Sequence, residues 1–290
     1  MMARMMTLNS IMRSPVLPAY AAMCVLLSLP VLASEDAPDA KPPATPAPVV
    51  CAIPGTALNL KMVPVPGPDG KPAFWISDTE ISWDHYDVFV YELDEKVNEK
   101  VDAVTRPTRP YISADQGWGH AGFPALSVSH RGGKAFCDWL TAASGVKYRL
   151  PTLEEWKLVC SLGGVTPDSL DDHAWHKGNS ERRTHKLRSK KPDALGLYDI
   201  HGNVSEWCRN GKGEDDYVLA GSCYKDETST CDMTKTQVPA WNDTDPQIPK
   251  SIWWLSDAPF AGFRVITTRH PAEAPASKEK ADTPSEKKKP

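Results

Sequence analysis

The second half of the chain, from about residue 165 onward, has no stretch with the periodicity of a long helix or strand. Gly, Asp, Asn, Pro and Trp are interspersed there with short strand-like pieces such as YVLAGS (217–222) and GFRVI (262–266). Loops longer than about 15 residues are uncommon in compact domains, and those that occur usually hold ligands or carry out chemistry. The sequence therefore predicts a domain made largely of loops, which contain its functional residues.

Helices are predicted in the first half of the domain. The segment 81–95 begins behind Ser82, a good N-cap, and places apolar residues every three or four positions as far as Leu93. The segment 129–145 repeats this spacing and stops at a glycine. A short third helix follows Thr152, which has the glutamate of a capping box three positions later. Each helix is expected to bury one face in the core.

The two ends of the chain differ from its middle. Residues 1–33 combine two arginines, an apolar run and the small residue Ala33, the pattern of a cleaved secretory signal peptide. The apolar run is too short for a membrane-spanning helix. Residues 34–50 and 269–290 are rich in Pro, Ala and charge, which predicts a linker and a disordered charged tail. One large domain is therefore expected over 51–268, in a secreted or periplasmic protein without a membrane span.

The charge of the chain argues against a nucleic-acid partner. The formal charge is −4 at pH 7, and loss of Arg4 and Arg13 with the signal peptide would make it −6. A protein that binds a phosphate backbone needs clustered positive charge. The lysines that end the tail are read as solvated.

Cysteine usage fits an exported protein. An even number of cysteines would remain after Cys24 is removed with the signal peptide, as expected in an oxidising compartment. At least two disulfides are expected, with the pairing left open among fifteen possibilities. The six cysteines are Cys51, Cys137, Cys160, Cys208, Cys223 and Cys231.

The segment GLYDIHGNVSEWCRNG, at 196–211, concentrates acids and glycines in one bend. Asp199 and Glu206 flank this bend, and carboxylate and carbonyl oxygens are the ligands that Ca²⁺ prefers. The alternative is a turn in which the two carboxylates only accept backbone N–H groups. Both interpretations are compatible with the residues alone.

Six motifs together resemble one known family. In chain order they are EISWDHYDVF, PALSVSHRGGKAFCDWL, YRLPTLEEW, LGLYDIHGNVSEW, LAGS and AGFRVI. This series resembles the formylglycine-generating enzyme family, also called the sulfatase-modifying-factor family, over residues 60–266. The resemblance implies an α+β fold, a variant of the C-type lectin fold with two main helices, small twisted antiparallel sheets and many ordered loops.

The resemblance also implies a structural calcium site in the 196–211 segment. Carried over residue by residue, its ligands are the side chains of Asp199 and Glu206 and the backbone carbonyls of Gly202 and Val204.

The family's catalytic pattern is displaced in this chain. Its oxidases hold copper(I) between two thiolates and use oxygen to convert a cysteine of a client sulfatase to formylglycine. The corresponding positions, counted from Ser222, are Lys225 and Thr230, whereas the cysteines present are Cys223 and Cys231. These cysteines and Ser222 are the candidate catalytic residues, copper is a doubtful cofactor, and a disulfide across the loop is the alternative. A tryptophan of the family motif is also replaced, by Ser205.

Several functions remain open on the sequence alone. One is an oxidoreductase of the formylglycine-generating type that acts on a peptide or small molecule. Another is a non-catalytic binding or accessory protein of the cell envelope that uses a lectin-like loop face containing Trp241, Trp253 and Trp254, and a third is a structural factor of the envelope. Exposed tryptophans would favour binding. A zinc site at His173 and His176 is a weaker alternative.

Overall fold

The computed structural model describes residues 46–95, 97–211 and 213–273. The predicted signal peptide over 1–33 lies outside these residues, as do most of the predicted linker and most of the predicted tail. Strand β1 (Val49–Ala52) includes the last two residues of the predicted linker. Within the described part of the chain, no helix is long and apolar enough to cross a membrane.

The described residues form short helices and strands joined by long loops, as the composition predicts. The helices are α1 (Trp83–Val90), α2 (Glu99–Asp102), α3 (His130–Ser144), α4 (Leu153–Leu162) and α5 (Leu170–His173). The other strands are β2 (Asn59–Pro66), β3 (Pro72–Ser77), β4 (Ser205–Arg209), β5 (Tyr217–Ala220), β6 (Thr234–Lys235), β7 (Ala261–Gly262) and β8 (Ile266–Thr267).

The three predicted helices are present as α1, α3 and α4, and their caps explain where they begin. The hydroxyls of Ser82 and Ser129 each accept the backbone N–H three residues later, at 3.3 and 3.2 Å. Thr152 accepts the N–H of Glu155 at 3.1 Å, and the Glu155 carboxylate accepts the N–H of Thr152 at 2.8 Å. Such a cap satisfies N–H groups that the first turn leaves unpaired, and it stabilises a helix by about 1 kcal/mol.

The first helix is shorter than its apolar spacing predicts. It ends at Val90, and Glu92 takes a left-handed backbone with φ of 54°. Leu93, which was predicted to lie on the buried face, is 64% exposed. Neither glycine nor proline marks this end of the helix. The apolar spacing continues beyond Val90, and it therefore predicted a helix that is too long.

Two four-stranded sheets complete the domain. The first is antiparallel with the order β1-β2-β3-β8. The second has the order β6-β5-β4-β7, and its β4 and β7 run parallel while the other pairs are antiparallel. The α+β fold is thus confirmed, with one parallel pair that was not predicted. Because β7 and β8 belong to different sheets, residues 263–265 connect the two sheets directly.

The main core consists of aromatic side chains from α1, α3 and the connection between the sheets. Tyr86 and Phe89 come from α1, Phe136 and Trp139 from α3, and Phe263 from the connection. Neighbouring rings of this group have centroids 5.3 to 5.9 Å apart in edge-on or tilted arrangements. Each such pair contributes about 1 kcal/mol beyond its buried area. The predicted apolar faces of both helices are therefore confirmed as core.

A second apolar cluster holds α4 against both sheets. Trp156 and Val159 of α4 belong to one buried cluster with Ile76 of β3 and Ala220 of β5. Gly221, with φ of 76°, lets the chain pass the indole, because a Cβ there would lie 2.7 Å from the Trp156 ring. This packing brings the end of β5 next to the 196–211 segment and α4.

Candidate functional site

The 196–211 segment forms a buried turn that leads into β4. Asp199 has φ of 63° and Asn203 has φ of 60°, so two residues in the turn take the left-handed backbone. The N–H of Gly202 donates to the Asp199 carbonyl at 3.1 Å and closes the turn. A Cβ on Gly202 would lie 2.3 Å from the Trp175 carbonyl, so only glycine fits there. The glycine-containing bend that the sequence predicts is therefore formed.

Glu206 is the central acid of this region. It is 1% exposed, and its two carboxylate oxygens accept Nε and Nη2 of Arg264, each at 2.6 Å. Trp156 of α4 donates its Nε1 to the same carboxylate at 2.8 Å. Three of about four acceptor positions on this carboxylate are therefore used.

Glu80 is a buried acid of the site that the sequence did not indicate. Its Oε1 accepts the N–H of Val204 and its Oε2 accepts the Asn203 amide, both at 2.9 Å. Burial, together with the nearby charges of Asp199 and Glu206, raises the pKa of Glu80. Glu80 precedes α1 and pairs with residues more than 120 positions away, at separations of 123 and 124, so no local spacing could reveal it.

The buried acids outnumber the buried cation beside them. Glu80, Asp199 and Glu206 are each 1% exposed, and Arg264 is fully buried among them. Three carboxylates facing one guanidinium leave an excess of negative charge, which is costly in the interior unless it is protonated or neutralised by a cation. Burial raises the pKa of Asp199 to about 6.

Asp199 also has an unused ligand atom. Its Oδ2 accepts the N–H of Arg188 at 3.1 Å, whereas its Oδ1 is buried without a hydrogen-bond partner. A buried carboxylate oxygen without a partner is unusual and calls for an explanation. Asp199 and Glu206, with the intervening Gly202 and Val204, all lie in this buried stretch. The four predicted ligand residues are thus all buried, and acceptor capacity remains on both carboxylates.

The candidate catalytic residues Ser222, Cys223 and Cys231 lie in the loop after β5. They form neither the predicted copper site nor the predicted disulfide across the loop. Cys223 is a buried free thiol whose Sγ donates to Asp226 Oδ2 at 3.2 Å, and burial raises the pKa of Cys223 to about 11. Cys231 is bonded to Cys160 of α4. The prediction of a disulfide across the loop, from Cys223 to Cys231, is therefore wrong. Ser222 donates its hydroxyl to the His201 carbonyl at 2.6 Å.

The number of disulfides is also lower than predicted. All six cysteines of the domain lie in the described residues, and Cys160 and Cys231 form one bridge. The expectation of at least two bridges is wrong for this part of the chain, because the remaining four cysteines are free thiols. These free cysteines are Cys51, Cys137, Cys208 and Cys223.

The positions that correspond to the family's copper ligands have other roles here. Lys225 places its Nζ 3.4 Å from the centroid of the Phe260 ring, a cation–π contact. Thr230 is exposed. Ser205, at the position of the family's tryptophan, is buried, donates to the Gly221 carbonyl at 2.9 Å and contacts Lys235 Nζ at 2.8 Å. No thiolate pair is formed by these residues.

The tryptophans proposed as a binding face belong largely to the core. Trp254 is 5% exposed and donates its Nε1 to the Thr108 carbonyl at 2.7 Å. Trp241 and Trp253 are half-buried and pack against the main core. These three residues therefore do not form an exposed aromatic face.

Exposed apolar side chains lie on two adjoining loops next to Trp253 and Trp254. They line two neighbouring depressions that share Tyr111, Gln247 and Pro246. We call this group the apolar loop surface. It comprises Tyr111 (75% exposed), Ile112 (44%), Ile248 (97%) and Ile252 (53%). Sequence reasoning missed it because these residues lie in irregular loops, where no periodicity indicates which side chains face solvent.

His173 and His176 do not form the zinc site that was the weaker alternative. His176 contacts Asp171 Oδ1 through Nε2 at 2.6 Å, and His173 contacts the Lys191 carbonyl through Nδ1 at 3.1 Å. Each ring is held by a different neighbour, so the two do not converge on one ion.

A family profile matches most of this domain. The family is described as "Sulfatase-modifying factor enzyme 1-like domain", and the match covers residues 69–269. These residues include the buried acids, Arg264 and the loop after β5.

Solved structures align with this chain at low sequence identity. Treponema denticola variable protein 1 aligns with a TM-score of 0.52 and 18% identity, covering 77% of this chain and all of that one. PvdO from Pseudomonas aeruginosa aligns with a TM-score of 0.49 and 20% identity, covering 75% of this chain and 99% of that one. Identities this low support similarity of fold alone.

Similar segments also occur in larger proteins. The serine/threonine-protein kinase pkn1 of Chlamydia caviae is 32% identical over 108 residues, which are 35% of this chain and 16% of that protein. The corresponding protein of Chlamydia pneumoniae is 31% identical over 106 residues, again 16% of its length. The chain thus matches only a small part of these relatives.

Proposed function

The chain belongs to the sulfatase-modifying factor enzyme 1-like family, and on that premise we propose that it is an exported binding or accessory module, which holds an extended polypeptide and does not generate formylglycine. The alternative, an oxidoreductase of the formylglycine-generating type, requires two thiolates that can hold copper(I). The state of the thiols favours the binding function.

The observation that carries this proposal is the bond between Cys231 and Cys160. Copper(I) is a soft ion that binds well to a pair of thiolates. With Cys231 in a disulfide, Cys223 has no thiol partner in its loop, and its own pKa is raised to about 11 by burial. At neutral pH Cys223 is therefore a protonated, buried thiol hydrogen-bonded to Asp226. This arrangement suits a structural residue better than a copper ligand.

The apolar loop surface is the proposed binding site. Ile248 is 97% exposed and Tyr111 is 75% exposed, and contiguous exposed apolar side chains commonly mark sites of protein interaction. Gln116, Gln247 and Asp245 line one of these depressions and add polar groups to it. We propose a polypeptide ligand because the family's enzymes, which this chain resembles, act on a segment of a client protein.

The absence of formylglycine generation is tested by incubation with a substrate peptide. The mature protein, loaded with copper(I), is mixed in air with a Cys-x-Pro-x-Arg peptide, and the peptide mass is followed by mass spectrometry. We expect no loss of mass, because Lys225 and Thr230 replace the two thiolates. An active family enzyme is the positive control. Conversion that disappears in Cys223→Ser or Cys231→Ser would overturn the proposal in favour of the oxidoreductase.

Polypeptide binding is tested with a displayed library of random linear peptides. We expect the wild-type protein to enrich peptides rich in aromatic and aliphatic residues. The variants Tyr111→Ala and Ile248→Asp should lose this enrichment. Leu158→Asp is the matched control, because Leu158 is an exposed apolar residue of α4, at 44% exposure, away from the apolar loop surface. Absence of enrichment by the wild type, or equal loss in the control, would contradict binding at this surface.

We also propose that the buried acids bind a structural calcium ion. The unpartnered Oδ1 of Asp199 and the remaining acceptor position on Glu206 fit a hard cation that prefers oxygen ligands. The excess negative charge of Glu80, Asp199 and Glu206 over Arg264 favours a divalent ion near these acids. The carbonyls of Gly202 and Val204 would complete the set that the family resemblance implies.

Export is the remaining part of the proposal. It is supported by the signal-peptide pattern over residues 1–33 and by a disulfide, a bond that persists mainly in oxidising compartments. Fusion of residues 1–50 to a phosphatase that is active only after export provides the test. An inactive fusion would contradict export, and a fusion without residues 1–33 is the control.

A further inference from the structure

Three side chains with metal-binding atoms converge beside the 196–211 turn, apart from the acids described above. They are Cys160 of α4, Cys231 of the loop between β5 and β6, and His201 of the turn. The two sulfurs and one imidazole nitrogen all lie within 4.8 Å of one another. In the described residues no other three histidine, cysteine or acid side chains bring their ligand atoms this close together.

The hydrogen bonding of His201 is unusual for a buried ring. His201 is 5% exposed, and its Nε2 is buried without a partner. Its Nδ1 has only long contacts, at 3.8 Å to Cys160 Sγ and 3.5 Å to Ser229 Oγ. Buried polar atoms nearly always have a closer partner. Nδ1 therefore has no short hydrogen bond that would compete with a metal ion, and it lies beside the sulfur of Cys160.

We propose that Cys160, Cys231 and His201 bind one zinc ion once their disulfide has been reduced, so that the disulfide and the metal exclude each other. A dithiol reductant supplies two electrons and two protons: the bond between the sulfurs breaks to give two thiols, and the reductant becomes a disulfide. Zinc then replaces the two thiol protons, which pass to solvent. Two thiolates balance the charge of the ion, and the neutral imidazole completes a Cys₂His set.

The distance between Cys160 and His201 fits two ligands of one zinc ion. Tetrahedral zinc with bonds of about 2.3 Å to sulfur and about 2.0 Å to nitrogen separates these two ligands by roughly 3.6 Å. Cys160 Sγ and His201 Nδ1 are 3.8 Å apart. Thiolate and imidazole ligands favour zinc over calcium, which distinguishes this site from the acids around Asp199. A set of three protein ligands leaves the fourth position open for water.

A reductant can reach one sulfur more easily than the other. Cys231 is half-buried, whereas Cys160 is 2% exposed. Thiol–disulfide exchange proceeds by attack of a thiolate on an accessible sulfur. Attack therefore falls on Cys231, and Cys160 leaves into the interior beside His201.

The test measures zinc bound by the full mature chain with the disulfide intact or reduced. The protein is reduced with a dithiol, freed of reductant without oxygen, mixed with zinc and desalted, and zinc is counted by elemental analysis. We expect one tightly bound zinc per reduced chain and none per oxidised chain. Cobalt(II) is a second probe, because its sulfur charge-transfer absorption reports thiolate ligation directly.

Variants separate this site from adventitious binding. His201→Gln keeps the cysteines and the disulfide, and it should weaken zinc binding at least tenfold. Cys231→Ser should abolish binding, whereas Cys51→Ser and Cys223→Ser, which alter free thiols outside the cluster, should leave it unchanged. Absence of zinc from the reduced wild type, equal zinc in the oxidised protein, or retention by His201→Gln would each overturn the proposal.

Discussion

Arg264 and Glu206 form a bidentate ion pair in the interior of the domain, with Nε to Oε2 and Nη2 to Oε1 both at 2.6 Å. The side chains are 0% and 1% exposed. Arg264 also donates to the carbonyls of Ser77 and Tyr198, each at 3.1 Å. Ser77 ends a strand of the first sheet and Glu206 belongs to the second. One guanidinium therefore joins the two sheets and the turn that contains Asp199.

Replacement of Arg264 should destabilise the fold strongly. In Arg264→Gln the carboxylate of Glu206 loses its partner while it remains buried, which typically costs about 3 to 5 kcal/mol. Urea unfolding followed by circular dichroism measures the change. Arg131→Gln is the control, since its ion pair with Asp215 is exposed and should be worth at most about 1 kcal/mol. Equal effects of the two variants would contradict the structural role given to Arg264.

Calcium should raise the unfolding temperature of the wild type. At a free concentration one hundred times the dissociation constant, an ion that binds only the native state stabilises it by roughly 2.7 kcal/mol. Asp199→Asn should lose most of this increment, because the unpartnered oxygen of Asp199 is a proposed ligand. Thermal unfolding of a metal-free preparation, with calcium or with chelator, provides the measurement.

The control for the calcium experiment is another buried acid. Asp245 is 5% exposed and accepts backbone N–H groups of its own loop, so Asp245→Asn should lower stability and keep the calcium increment. Identical midpoints of the wild type with calcium and with chelator would contradict the calcium site.

Local signals predicted the helices and the turn, because each depends on residues close in sequence. Ser82, Ser129 and Thr152 cap helices whose first turns they begin. The spacing from Asp199 to Glu206 likewise places both acids around one bend. Where a helix ends without glycine or proline, as α1 does at Val90, the local signal fails.

Contacts between distant residues could not be predicted from spacing. Arg264 lies 58 residues from Glu206, and Cys160 lies 71 residues from Cys231. Glu80 joins the turn through contacts that only the packed sheets create. The sequence therefore predicted the bend and its two acids, whereas the charge balance around them and the partner of Cys231 required the structure.

Loss of the disulfide should cost stability through the unfolded chain. A bridge between residues 71 positions apart is worth about 4 kcal/mol in the chain-entropy model. The free energy of unfolding of Cys231→Ser should be lower than that of the wild type by about this much. Chelator is present in every sample so that no metal binds to the free thiol. Cys51→Ser, a change at a half-buried free cysteine, should remain within about 1 kcal/mol of the wild type.

Reductant supplies an independent check on the same bond. It should destabilise the wild type and Cys51→Ser by similar amounts and leave Cys231→Ser unchanged. Thiol counting establishes that the reductant has opened the bond. If the stability of the wild type is then unchanged, the predicted stabilisation is contradicted.

His120 joins its loop to α1 through two carboxylates. Its Nε2 contacts Asp87 Oδ2 at 2.7 Å and its Nδ1 contacts Asp115 Oδ2 at 2.9 Å. The ring stacks on Trp83 with centroids 4.9 Å apart. Burial lowers the pKa of His120, but the hydrogen bonds and charges of Asp87 and Asp115 outweigh burial, so that the pKa is raised.

The contribution of His120 to stability should therefore depend on pH. Because the pKa is higher in the folded state, the contribution is complete below the unfolded value of about 6.5 and is lost as the pH rises through the folded value. The ring is 46% exposed, so solvent screening limits the effect to about 1 kcal/mol or less. Wild type and His120→Gln are compared by urea unfolding in mildly acidic and mildly alkaline buffer. In acid the free energy of unfolding should be higher for the wild type than for the variant, and in alkali this difference should be smaller. A difference that grows with pH would show that the two carboxylates do not favour the charged ring.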